Sequence, residues 1–176
     1  MFTRLRAEWH MRNTERRIRK HGWTAIYVGD FRTAPTWVYT VGFDDTLNQP
    51  EIIVFDISQA DANVMLWQAF EELKAGDLVL EDGKLWVEDE QARMVWRKVD
   101  PSQIDGADGW FAFAVERRRR RTGRAFGLEA FQLVLADQQR RLPWDDGYDE
   151  RLRPLQPALW LPARDAAGAP AAQAGR

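Results

Sequence analysis

The sequence contains no cysteine. Disulfides, thiolate metal sites and cysteine nucleophiles are therefore excluded. Histidine is almost as scarce: His10 and His21 are the only two, and no spacing pairs either with an acid–base partner. His21 precedes Gly22, so its plain reading is an imidazole at a helix end, where a cation suits the helix dipole. No apolar run approaches the roughly 20 residues that cross a bilayer, so no membrane contact is expected. The segment 1–20 is charged and lacks the apolar stretch of a signal peptide. With the missing cysteines, that points to the cytoplasm. A P-loop, a dinucleotide-binding glycine fingerprint, a zinc-ligand spacing and a nucleophile elbow are also missing. No metal is expected.

What is present is an ordinary globular composition. The 176 residues are 45% hydrophobic and 30% charged, with nine tryptophans and nine phenylalanines. That length fits one domain with a real core. Residues 1–162 carry the apolar pattern. Residues 163–176 are Ala/Gly/Arg-rich with almost no apolar bulk, and a disordered tail is expected there.

Charge is uneven. Residues 1–24 hold seven Lys/Arg against two Asp/Glu, and residues 44–108 hold five against sixteen. Residues 116–124 hold six Arg against one Glu. Such blocks offset each other within the fold or across a homo-oligomer contact. Nucleic acid is disfavoured, because a uniformly basic binder would not carry the acidic centre. The five consecutive arginines 117–121 point around more than a full helical turn, so they cannot form one phosphate-reading stripe. They read as a solvated helix end that the acidic block could answer.

Periodicity gives the elements. Residues 3–20 read as a basic helix stopped by Gly22. Residues 23–29 and 36–43 read as a strand pair around a turn at 30–35, and 44–50 as a loop. Residues 51–57 read as a strand buried on both faces. Ser58 caps a helix over 59–74, in which Ala62, Met65, Leu66, Ala69, Phe70 and Leu73 form one stripe, and Gly76 ends it. Segments 78–80 and 84–87 flank a hairpin turn at Glu81-Asp82-Gly83. A strand at 92–99, a helix at 109–121 capped by Asp108, and a strand at 130–136 follow. The expected fold is α+β: a curved, mostly antiparallel sheet or partial barrel with flanking helices.

Several residues stand out chemically. Trp23, Tyr39, Thr40 and Trp144 could line a pocket for a small planar ligand, since aromatic walls with few polar handles suit a flavin or nucleotide. Glu51 and Asp137 are candidate acid/base groups. Glu51 opens an apolar strand, where it either caps backbone amides or sits desolvated. The alternative is an interaction module whose basic helices dock an acidic protein or a second copy.

The ordered set His21-Gly22-Trp23, Tyr39-Thr40-Val41-Gly42, Pro50-Glu51, Gly76, Phe131-Gln132-Leu133-Val134, Asp137, Pro143-Trp144 and Gln156-Pro157 resembles the bacterial domain of unknown function 4262 family. The resemblance covers about residues 18–160 and implies fold boundaries but no reaction. Two positions depart from the family pattern: Ala136 stands where a proline is usual, and Arg140 where a glycine is usual. Both bear on the turn around Asp137. The first three strands are also similar to those of flavin-binding split barrels, a likeness of fold alone.

Overall fold

A computed structural model describes residues 2–30, 33–88, 92–104, 109–124 and 126–163. The elements in order are α1 (Phe2–His21), β1 (Thr24–Asp30), β2 (Thr33–Val41), α2 (Phe43–Leu47), β3 (Glu51–Phe55) and α3 (Gln59–Ala75). Then come β4 (Leu85–Glu88), β5 (Arg93–Lys98), α4 (Pro101–Ile104), α5 (Ala112–Thr122), β6 (Ala130–Leu135) and a 3-10 helix at Glu150–Leu155. The expected tail beyond Ala163 and the expected cap at Asp108 lie outside the described residues.

The strands form one six-stranded sheet in the order β1-β2-β3-β6-β5-β4. Every neighbouring pair is antiparallel except β3 with β6. The mixed α+β, mostly antiparallel reading therefore holds. The sheet is open and does not close into a barrel. Helices cover both faces, which leaves no interior for a closed sheet to surround.

Alternation along the strands divides the core in two. Tyr39, Val41, Ile53 and Phe55 pack on one side with Ile18 of α1, Ile104 of α4, Phe111, Ala114 and Leu159. Val38, Ile52, Val54, Trp96, Phe131 and Leu133 pack on the other with Ala62, Leu66, Ala69 and Phe70 of α3. Central β3 is buried along its whole length, as its unbroken apolar run predicts. Each large apolar side chain so buried contributes about 1.5–3 kcal/mol.

α3 follows its sequence signals closely. The Ser58 hydroxyl accepts from the Asp61 amide, and Gly76 takes the left-handed conformation at the other end. Two expectations fail. Residues 44–50 are not all loop, because Phe43–Leu47 form α2. Residues 78–80 are not a strand: the amides of Asp77 and Leu78 bond back to the Glu72 carbonyl, and the Leu78 side chain turns into the core. β4 pairs instead with β5.

Beyond β6 the chain returns over the sheet, held by two buried amides. Gln132 donates to the Pro157 carbonyl and accepts from the Leu159 amide. Gln156 accepts from the Leu135 amide and donates to its carbonyl, imitating a strand neighbour.

Candidate functional site

Among the described carboxylate residues Glu51 is the least exposed, at 2%. One oxygen accepts from the Gly42 amide at 2.8 Å and the Asp44 amide at 3.4 Å. The other accepts from the Thr40 hydroxyl at 2.6 Å and the Phe43 amide at 3.3 Å. Thr40 also accepts from the Ile52 amide at 2.8 Å, so its one hydroxyl proton is committed to Glu51. All four groups around the carboxyl are donors, which fits its ionised, acceptor-only form. Burial pushes the carboxyl above its ordinary value, and the hydrogen bonds from Thr40, Gly42, Asp44 and Phe43 oppose that push. The result is a structural plug that ties the start of β3 to the first turn of α2.

Gly42 is part of the same knot. Its φ is +119°, and a Cβ there would sit 2.8 Å from the Gly22 carbonyl oxygen and 3.0 Å from the Trp23 Cα. Close backbone approach is what a glycine at a strand end signals.

The four aromatic and hydroxyl candidates are not brought together. Register pairs Ile26, not Trp23, with Tyr39. Trp23 packs on the α3 side against Phe43, Trp67 and Phe70. Tyr39 packs on the opposite side against Phe111, and its hydroxyl accepts from the Phe113 amide at 3.3 Å. Burial pushes the Tyr39 phenol far up. Trp144 is 45% exposed, edge-on to Trp160 at 5.5 Å. The Arg97 guanidinium lies over both rings, 5.1 and 4.8 Å from their centroids.

Asp137 organises a second knot. Its carboxylate accepts from the amides of Gln139, Arg141 and Asp149 and from the Arg141 side chain. Burial opposes ionisation here, and these hydrogen bonds more than offset it, leaving the carboxyl below its usual range. Beside it an open cleft of about 340 Å³ is lined by Gln138, Gln139, Asp149, Arg151, Leu152 and Leu155.

The arginine run is less solvated than its sequence implies. Arg117 is 7% exposed and pairs with Glu15 of α1 and Asp45 of α2. Arg118 pairs with Asp44, and Arg121 with both Asp44 and Asp45. Arg119 and Arg120 share Glu116. The run is thus consumed internally, partly by the acidic block.

α1 behaves differently. Trp9, Arg12, Arg16 and Lys20 recur at helical spacing on one exposed line, flanked by exposed Arg17 and Arg19. Among the described residues, none of these five cations has an ion-pair partner. Trp9 is 58% exposed. No three His, Asp or Glu among the described residues are grouped to hold a metal ion, and no helix there is long and apolar enough to cross a membrane.

The sequence of a family described as a domain of unknown function (DUF4262) matches residues 17–149. The chain belongs to the DUF4262 family. No curated protein and no solved structure matches it. The match contains both carboxylate knots of this DUF4262 chain, but starts after Trp9, Arg12 and Arg16.

The turn around Asp137 holds a strained residue. Arg140 has φ +64°. The left-handed region costs a side-chain-bearing residue about 1–2 kcal/mol. Glycine removes that strain but loses more chain entropy on folding. Arg140→Gly should therefore raise stability by about 0.5–1 kcal/mol in urea unfolding. Arg140→Ala, which keeps the strain, should give no such gain.

Proposed function

We propose that this DUF4262 chain is a protein interaction module that docks an acidic protein segment along α1. The carrying observation is the exposed line of Trp9, Arg12, Arg16 and Lys20, whose cations have no partners among the described residues while those of α5 do. An acidic segment with one apolar side chain answers both the charge and the Trp9 ring. Polyphosphate fits less well, because the acidic centre of the chain repels it. Glu51 and Asp137 support the same reading, since their oxygens are already engaged by donors.

A labelled glutamate-rich peptide carrying one leucine tests this. Binding should weaken as salt rises, and Arg12→Glu with Arg16→Glu should weaken it about tenfold or more. Both positions are exposed, so folding should change by less than about 0.5 kcal/mol. Tighter binding to single-stranded DNA of similar charge would shift the reading to nucleic acid, and no binding to either would end it.

A planar ligand, flavin- or nucleotide-like, is the second reading. The observation favouring it is the half-exposed Trp144 ring beside Trp160. Flavin absorbance in the purified protein, or a thermal shift with nucleotides, would support it.

A further inference from the structure

Two indoles and one guanidinium meet on β5. Trp160 is partly buried against the cluster of Val95, Val134 and Leu142, which fixes a rear wall. Trp144 stands at right angles to it. Its turn is held from behind, because Pro143 is buried and its carbonyl accepts from the Arg153 guanidinium at 2.8 Å. Arg97 shares a face of β5 with Val95, two residues away. Its guanidinium lies over both rings, where the ring quadrupoles favour a cation.

That guanidinium is only partly used. Its Nε donates to an Asp82 oxygen at 2.9 Å, and the same oxygen accepts from the Lys98 amide at 2.8 Å. Asp82 is thereby anchored to the strand and orients Arg97. The two Nη groups have no hydrogen-bond partner among the described residues, and neither is cut off from solvent. Asp145, in the same turn as Trp144, does not compete for them, since Arg93 and the Leu142 amide engage it.

We infer that Trp144, Trp160 and Arg97 form a binding site for a planar aromatic ring that carries a carboxylate. The inference rests on the planar-ligand reading of Trp144 and adds the charge of the ligand. The ring stacks on the free part of Trp144, which is 45% exposed. The carboxylate takes the Nη edge of Arg97, whose planar fork matches two carboxylate oxygens. One negative charge fits better than several. Asp82 already offsets part of the Arg97 charge, and the surrounding segment 44–108 is acidic.

2-Naphthoate and 2-naphthamide share ring and shape and differ in charge. Each is titrated into the full chain and followed by the chemical shifts of the tryptophan indole N–H signals. Naphthoate should bind about tenfold tighter, the difference expected of hydrogen bonds to a charged group. Arg97→Gln should bring the two ligands to equal affinity, and Trp144→Ala should weaken both. Arg12→Glu with Arg16→Glu removes the cations beside the other exposed tryptophan, Trp9, and should leave naphthoate binding unchanged. Equal affinities in the wild type would overturn the inference and leave the planar-ligand reading standing. No binding of either compound would overturn both. A preference for naphthoate that survives Arg97→Gln, or that is lost with the α1 charges, would also overturn the inference.

Discussion

Glu51→Ala should lower stability by about 3–5 kcal/mol, because it strips the acceptor from four buried or part-buried donors at once. For a chain of this size that is a fall in Tm on the order of 10 °C. The Gly42, Phe43 and Asp44 amides open α2 and have no other acceptor in the helix. Thr40 would keep the Ile52 amide but lose the partner for its own proton. Glu51→Gln is the discriminating control. It preserves shape, yet its NH2 group must face the Thr40 hydroxyl or the amides, so one side of the knot loses its acceptor. A loss of about 2 kcal/mol is expected, as for hydrogen bonds to a charged group. Thermal unfolding of both variants checks the order. If Glu51→Gln were as stable as the wild type, the carboxylate would not be the plug described. An acid/base function predicts the opposite pattern, with stability kept and a chemical activity lost.

How much of this was legible depended on range along the chain. α3 and its caps were readable because Ser58, the apolar stripe and Gly76 are local signals. The burial of β3 was readable from its unbroken apolar run. The parallel pairing of β3 with β6 joins segments far apart in sequence, and no local pattern encodes a partner. Register explains the scattered pocket candidates. A one-residue shift exchanges the faces of a strand. β2 runs back to Thr33, which pairs with Asp30, and this sets Tyr39 opposite Ile26. Trp23 and Tyr39 therefore point to opposite faces, although hairpin strands alone left that open. Glu51 as a cap was readable as one of two roles, but α2 itself was hidden, since five residues without a conventional N-cap carry no helical period. The free face of α1 lay in plain view as Trp9, Arg12, Arg16 and Lys20. What the sequence could not say is that the other basic helix spends its charges internally.

Arg117→Ala is the second large effect, and it tests that internal spending. The five arginines point around a full turn, so one had to face inward. The face is identifiable, because Ala114 is buried and Arg117 follows it by three residues. There the guanidinium joins three helices, through Glu15 of α1 and Asp45 of α2. Burial alone would disfavour its charge, and Glu15 and Asp45 more than compensate. Removing Arg117 leaves Asp45, with a side chain only 15% exposed, short of a major partner. A buried pair broken on one side costs about 3–5 kcal/mol, and the partial exposure of Glu15 and the help of Arg121 place the expected loss near the lower end. Arg117→Lys keeps the charge but cannot span Glu15 and Asp45 in a fork, so it should recover only part of the loss. Arg119→Gln and Arg120→Gln, whose side chains are mostly exposed, should each change stability by less than about 0.5 kcal/mol. Urea unfolding of the four variants separates the positions. Equal, small effects at all of them would return the run to a solvated helix end, and α5 would then share with α1 the charge available to an acidic partner.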